Sequence, residues 1–260
     1  ISGVVVALAV SYFVFGLWIL RYITKPNFGN LKPKTKFAMG AWLADLSAVS
    51  MNFLDKIIIG LLFGMMMLGF YQFAIRIFLL FAVFPQIMFF YLLPEKSAGR
   101  RTKRIEVNAT IFSIGLMGIM LVFASIVIPR YFPSFSDGVE ATQIMGFALV
   151  PATIAQMKIS DLYARGKSSV VLASYVSALT VGLTGVVSLG KHFGLIGLAS
   201  SVFLTQLALA LSVFLFPRLT DEDKKLAGGT LGAIVLTALV ISTMSVQPLT
   251  IEIVGTEVKG

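Results

Sequence analysis

Cysteine is absent from this 260-residue chain, and histidine occurs once. The first absence excludes a disulfide framework and a thiolate metal site, and the second argues against histidine-based metal chemistry. Charged residues are also scarce, at 13% of the chain, whereas 57% of the residues are hydrophobic and the mean hydropathy is +0.92. Water-soluble domains of this length do not have such a composition. The sequence therefore predicts a membrane protein that holds no metal and no cofactor.

Apolar stretches run almost without interruption along the chain. Eight of them are long enough, or nearly so, to cross a hydrocarbon core of about 30 Å, which takes roughly 20 helical residues. They cover 1–20, 37–62, 69–93, 106–128, 140–158, 169–189, 194–216 and 226–246. The connecting loops are short, and no alternation of period two suggests a barrel. We expect an all-α, polytopic bundle of about eight membrane-spanning helices, located as a multi-pass protein in the cell (plasma) membrane.

The basic residues are distributed unevenly among the predicted loops. If the first span runs from outside to inside, most of the 21 lysines and arginines lie on the cytoplasmic side. These are Arg21, Lys25, Lys32, Lys34, Lys36, Lys96, Arg100, Arg101, Lys103, Arg104, Lys158, Arg165, Lys167, Arg218, Lys224 and Lys225. By the positive-inside rule this asymmetry predicts the orientation. It also assigns the net charge of +9 to contact with membrane lipids, not with nucleic acid.

Charged and polar residues interrupt the second and third spans, in the segment MNFLDKIIIGLLFGMMMLGFYQFAIRI (51–77). Asp45, Asn52 and Asp55 follow spacings of seven and three, which place them on one helix face. Gln72 and Arg76, four apart, share a face of the next helix. Because an ionised group at mid-membrane costs about 2.5–3.5 kcal/mol, such faces normally point into a bundle or a wet cavity.

Two interpretations of these charges stay open. A turn centred near Met66 would place Lys56 and Arg76 at equal depth, so Asp55 could pair with Arg76 across the hairpin while Lys56 extends outward. Alternatively, the polar face lines a hydrated cavity in which Lys56 or Arg76, with Asn52 and Gln72, binds an anionic substrate. Asp45, with no basic neighbour in sequence, is the candidate for a titrating or ion-coupling carboxylate.

Glycines and prolines in the apolar segments predict packing and bending. Small pairs at helical spacing allow close approach of helices, and the chain has four: Gly60 with Gly64, Gly115 with Gly118, Gly182 with Gly185, and Gly194 with Gly197. Pro85 and Pro151 each remove a backbone hydrogen bond within a predicted span, so we expect hinges there. Gly146 and Pro151 interrupt the shortest span, and broken segments of this kind often border a transport site.

The segment around Asp55 resembles a transporter family. Asp55 with a following basic residue, then Gly60, a spaced Leu68–Gly69, the aromatic pair Phe70–Tyr71 and the Ala74-x-Arg76 motif are similar to the start of the second bundle of Wzx-type polysaccharide-transporter flippases. That family lies in the multidrug/oligosaccharidyl-lipid/polysaccharide exporter superfamily. The ARGK turn at 164–167 is also similar.

The resemblance implies a two-lobe protein that moves lipid-linked oligosaccharide, a polysaccharide precursor, from the cytoplasmic to the outer leaflet by alternating access. Because the chain begins with Ile1, we expect it to be a fragment that lacks its N-terminal lobe as partner. Residues 1–36 would then be the last helix of the first lobe with a basic inter-lobe loop, 37–247 the C-terminal bundle, and 248–260 a short outer tail. The substrate would be a polyprenyl-linked saccharide, and ion gradients would drive its transport.

Two alternatives to the flippase remain. One is a cation-coupled multidrug antiporter of the same superfamily, whose groove should favour carboxylates over basic side chains. The other is a membrane-embedded glycosyltransferase or polymerase, which usually needs a polar loop with acidic catalytic residues; the longest loop, 21–36, has no Asp or Glu. No P-loop, paired-carboxylate loop or Ser-His arrangement is found in the sequence, so we do not expect an enzyme.

The topology makes a testable prediction. Loops 21–36, 94–105, 159–168 and 217–225 should be cytoplasmic, because they hold most of the basic residues. Single cysteines introduced at Asn27 and Ser136 should therefore react with a membrane-impermeant thiol reagent from opposite sides of the membrane. Labelling of both positions from the same side would contradict the topology.

Overall fold

A computed structural model describes residues 10, 13–14 and 34–222, with side chains through Pro217. Apart from the first three of these positions, the expected spans 1–20 and 226–246 lie outside the described residues, as do the tail 248–260 and most of the loop 21–36. The chain divides into two units, Ile1–Ala38 and Met39–Gly260. Apart from 35–38, which open the first helix, everything below concerns the second unit.

The described residues from 34 to 222 are helical apart from short turns, and no strand occurs among them. The elements are α1 (Thr35–Ser97), α2 (Lys103–Tyr131), a 3-10 helix (Pro133–Gly138), α3 (Val139–Gly146), α4 (Leu149–Ala164) and α5 (Ser168–Glu222). Four helical stretches are long and apolar enough to cross a membrane: Thr35–Ser97, Lys103–Tyr131, Pro133–Ala164 and Ser168–Pro217. The all-α prediction is confirmed for the described part of the chain, and these four helices favour a membrane protein.

The long helix α1 reverses direction at Gly64. This residue has φ 82° and ψ 170°, a conformation that side-chain-bearing residues rarely adopt. Contacts across the break, Asp55 with Tyr71 and Gly60 with Leu68, converge on residues 63–64, so 35–63 and 65–97 run antiparallel. The turn expected near Met66 is therefore wrong by two residues, because the chain reverses at the glycine and the methionines that follow are already helical.

The helix α5 reverses at Gly194 in the same way, with φ 57° and ψ −131°. Gly182 lies against Thr205 and Gly185 against Ser201, again pairs that converge on the reversal. A Cβ on Gly185 would lie 3.0 Å from Ser201 Cβ, so the absence of side chains allows the two halves to approach. The packing prediction is confirmed for these glycines. For Gly115 and Gly118 it stays a prediction, since an added Cβ there would meet nothing within 4 Å among the described residues.

Two main apolar clusters hold the helices together. One combines residues near the Gly64 and Gly194 reversals with α2 and α3: Ile59, Tyr71, Phe78, Met120, Met145, Leu149, Val186 and Leu198. The other joins α4 with both halves of α5 and with Ala44: Ile159, Leu162, Val171, Tyr175, Leu209 and Val213. The outward faces instead carry exposed large apolar side chains such as Leu61, Leu80 and Ile111, as expected of helices that face lipid.

The loops segregate to two ends of the bundle. At one end, Lys96 Nζ lies 2.7 Å from Glu106 Oε1 and donates to the carbonyl oxygen of Met157 at 2.6 Å, which joins the ends of α1 and α4 to the start of α2. At the other, Phe135 of the 3-10 helix stacks on Phe73, with ring centroids 4.4 Å apart. The loops 94–105 and 159–168, predicted to share a side of the membrane, do share an end.

Gly197 provides a test of the α5 reversal. A Cβ added there would overlap the backbone carbonyl oxygen of Leu189, which cannot rotate away as a side chain could. Gly197→Ala should therefore lower the free energy of unfolding by about 1–3 kcal/mol, as overpacking does. Thermal unfolding of the purified protein measures this loss. Gly118→Ala, on α2, is the matched control, because an added Cβ there meets nothing within 4 Å among the described residues. It should leave the melting temperature unchanged or slightly raised. Equal melting curves for both variants would show that the two halves of α5 are not in contact.

Candidate functional site

The polar face predicted on the first half of α1 lines one cavity. Asp45, Asn52 and Asp55 all face it, as their helical spacing requires. The cavity has a volume of about 400 Å³ and is walled by both halves of α1, by α4 and by both halves of α5. It lies between the two main apolar clusters, since Tyr71 and Val186 of one cluster and Ile159 and Tyr175 of the other line it.

Asp55 is the most fully bonded group at this cavity. Tyr71 Oη donates a 2.6 Å hydrogen bond to Asp55 Oδ2, and the backbone N–H of Lys56 donates to Oδ1 at 2.7 Å. The Lys56 ammonium completes the set with an ion pair to Oδ1 at 3.3 Å. With its side chain 13% exposed, this carboxylate is thus held by a phenol, an amide and a cation.

Lys56 does not line the cavity. Its ammonium donates to the backbone carbonyl oxygen of Asn52, one turn earlier, as well as pairing with Asp55. The side chain therefore folds back along its own helix instead of extending outward or reaching a ligand. This contact also neutralises Asp55 locally, which lowers the free-energy cost of keeping a carboxylate in a membrane-spanning segment.

Arg76 lies away from Asp55. It is exposed, does not line the cavity, and makes no hydrogen bond or ion pair within the described part of the chain. The Asp55–Arg76 bridge considered from the sequence is therefore wrong, because reversal at Gly64 places Tyr71, not Arg76, opposite Asp55. Gln72 is half-buried and is likewise outside the cavity lining.

Asp45 differs from Asp55 in its surroundings. It lines the cavity near Tyr163 and Tyr175, but its side chain is exposed and makes no hydrogen bond or ion pair with any residue that the structure describes. The negative charge of Asp55 is thus stabilised by hydrogen bonds and an ion pair, whereas that of Asp45 has no such contact among the described residues.

The two prolines lie in different settings. Pro85 is buried within the second half of α1 and lines the cavity, in a stretch whose backbone stays helical. Pro151 occupies the first turn of α4, where a missing N–H leaves no intrahelical bond unmade. The expected interruption of the span 140–158 is present, but it lies at the turn Phe147–Ala148 between α3 and α4.

Several cavity residues were not found from the sequence. Tyr71 was considered only for its resemblance to a family pattern, and the amide and hydroxyl side chains Gln86, Gln156, Gln206, Tyr175 and Thr205 were not considered at all. The sequence feature that could have identified them is their position as isolated polar residues within apolar helices. Without the tertiary packing, however, nothing shows that residues from four helical segments face one another.

The charge of the lining is one-sided. Asp45 and Asp55 are acidic, and among the described residues no lysine or arginine lines this cavity.

Comparison of the chain with protein-family models, curated proteins and solved structures finds no match.

The Asp55–Tyr71 contact predicts a measurable stability difference. Tyr71→Phe removes the only donor that crosses between the two halves of α1 to this carboxylate among the described residues, and hydrogen bonds to charged groups contribute about 1.5–3 kcal/mol. Thermal unfolding in detergent should show a lower melting temperature for this variant. Tyr131→Phe, at an exposed position that ends α2, is the control and should melt as the unmodified protein does. Equal melting temperatures for both variants would contradict a contribution of this bond to the fold.

Proposed function

We propose that this chain is part of an ion-coupled membrane transporter and that the cavity at Asp45 and Asp55 binds the coupling cation. The observation that carries the proposal is the lining itself: two carboxylates, several amide and hydroxyl groups, and no basic side chain among the described residues. Oxygen-rich surroundings of this kind suit a proton or a small hard cation such as Na⁺.

Asp45 is the primary ion-binding group in this proposal. An ionised carboxylate without a partner is costly inside a membrane, and a bound proton or Na⁺ removes that cost. The bundle is therefore more stable with the cation bound, and its conformational equilibrium responds to cation concentration. Asp55, held by Tyr71 and Lys56, supplies a fixed negative charge beside it.

The helix interruptions suit alternating access. The turn between α3 and α4 leaves two short helices where one span was expected, and α4 forms part of the cavity wall. Pro85 lies in the wall opposite and leaves one carbonyl oxygen of α1 without its N–H partner. Relative movement of these segments could open the cavity at either end in turn.

The transported substrate is proposed from the resemblance around Asp55. We propose a lipid-linked oligosaccharide, moved from the cytoplasmic to the outer leaflet of a plasma membrane by a multi-pass, two-lobe, non-enzymatic protein of about eight spans in this chain. The reversals at Gly64 and Gly194 support this proposal, because each divides one long apolar helix into two segments. Lys56 and Arg76 lie outside the cavity lining, so they are not proposed as its substrate-binding groups.

The cavity lining favours a second candidate, the multidrug antiporter of the same superfamily. Organic cations bind where carboxylates and aromatic faces meet, and Tyr71, Phe78, Phe89 and Phe90 line the cavity with the two aspartates. In this case the proton or Na⁺ and the organic cation would compete for Asp45. The two candidates differ in substrate but share the coupling site.

Ion coupling can be tested in proteoliposomes. The intact transporter of which this chain is part should flip a fluorescent polyprenyl-pyrophosphate oligosaccharide faster under an imposed proton or Na⁺ gradient. Asp45→Asn should abolish this gradient dependence, because the amide cannot exchange a proton or replace the carboxylate as a cation ligand. Asp137→Asn, at an exposed acidic position in the 3-10 helix, is the matched control and should retain it.

Two further measurements complete the test. Thermal unfolding in sodium chloride against choline chloride, and across pH, should show a cation-dependent melting temperature that Asp45→Asn loses. Transport of tetraphenylphosphonium in place of the oligosaccharide would favour the antiporter. A gradient response that Asp45→Asn leaves intact, in protein that melts normally, would contradict the coupling role of this residue.

A further inference from the structure

A second cavity, of about 950 Å³, lies at the end of the bundle where α1 ends, α2 begins and α4 ends. Its lining contains six basic side chains and two acidic ones. The basic residues are Lys96, Arg100, Arg101, Lys103, Lys158 and Arg165, and the acidic ones are Glu106 and Asp161. In contrast to the cavity at Asp45, this one has a strong positive excess.

The acidic groups of this second cavity are already paired. Glu106 binds Lys96 at 2.7 Å, and Asp161 is shared between Lys158 and Arg165, each at 3.0 Å. Arg100 pairs with Glu95 at 2.9 Å. Arg101 and Lys103 are different: both line the cavity, and neither makes a hydrogen bond or ion pair within the described part of the chain. Among the described residues that line this cavity, Arg101 and Lys103 are therefore the cations without a protein partner, and they lie two residues apart at the start of α2.

The helix start adds to this positive field. Lys103 is the first residue of the 29-residue helix α2, and the first N–H groups of any helix lack an intrahelical acceptor. Phosphate is the anion that this combination of arginine, lysine and helix N-terminus recognises best.

Apolar side chains adjoin the basic ones. Val107 and Phe214 line the same cavity and are exposed, at 51% and 44%, and Ile154 completes its apolar wall. Lys158 Nζ lies 5.6 Å from the centroid of the Phe214 ring. Inorganic phosphate has no apolar part that could contact these side chains. A lipid has both a phosphate for the basic residues and acyl chains for the apolar ones. Three of the apolar helical stretches long enough to cross a membrane also begin or end here, and the ends of such stretches are where lipid headgroups are expected.

We infer that this second cavity is a binding site for the phosphate of an anionic lipid headgroup, with Arg101 and Lys103 as its phosphate ligands. Lys96 and Lys158, both held by protein acceptors, shape the floor of the site and keep its field positive. The site does not depend on the transported substrate or on the coupling role of Asp45.

Lipid retention tests this inference. The full chain is incorporated into phosphatidylcholine nanodiscs that contain a minor share of phosphatidylglycerol, then extracted, and the lipids that remain bound are quantified by mass spectrometry. The unmodified protein should retain phosphatidylglycerol above its share in the bilayer. Arg101→Gln and Lys103→Gln should each reduce that enrichment by about tenfold, the effect of one lost charge-assisted hydrogen bond.

Arg104→Gln is the matched control. Arg104 adjoins Lys103 on α2 and carries the same charge, but it does not line the cavity, so its replacement should leave the enrichment unchanged. Arg101→Lys should keep part of the enrichment, because the charge survives while the planar fork is lost.

Two outcomes would overturn the inference. Equal loss in Arg101→Gln and Arg104→Gln would show attraction by general surface charge alone. Complete removal of phosphatidylglycerol by a wash with inorganic phosphate would show that the site binds free phosphate and does not select a lipid. Melting temperatures close to that of the unmodified protein would exclude misfolding as the cause of any loss.

Discussion

Reversal of the chain at Gly64 and Gly194 is the constraint on which the cavity at Asp45 and Asp55 depends. Each glycine holds a positive φ that lets a helix turn back on itself, so that the segments before and after each glycine come into contact. The register of each reversal decides which side chains meet. At Gly64 it brings Tyr71 to Asp55, and at Gly194 it brings Ser201 and Thr205 to the small faces of Gly185 and Gly182.

Charge is partitioned by position in this bundle. The carboxylates Asp45 and Asp55 face the cavity among the helices, whereas the basic side chains are concentrated at the end formed by Lys96, Arg101 and Arg165. Acidic groups inside can be neutralised by a proton or a small cation, and basic groups at the end can reach headgroups and water. The inner cavity therefore suits cations and the end cavity suits anions, which is why the two proposals concern different ligands.

Asp55 and Asp45 show how similar residues acquire different roles. Burial of Asp55 is tolerated because Tyr71 and Lys56 supply donors on both carboxylate oxygens, and the Tyr71 hydrogen bond also ties the two halves of α1 together. Asp45 makes no hydrogen bond or ion pair among the described residues, so no protein donor stabilises its negative charge there. A carboxylate held by three donors and one without a hydrogen-bond or ion-pair partner among the described residues thus lie ten residues apart on one helix.

The sequence by itself determined the helical class, the apolar segments, the segregation of basic loops and the shared face of Asp45, Asn52 and Asp55, because hydropathy and helical spacing are local properties. It could not determine the partner of Asp55, since a shift of two residues in the turn replaces Arg76 by Tyr71. Nor could it show that Gln156, Tyr175 and Thr205 face the same space, or that Arg101 is left unpaired while Arg100 and Arg165 are not. Those assignments depend on contacts between segments distant in sequence, and only the packed structure decides them.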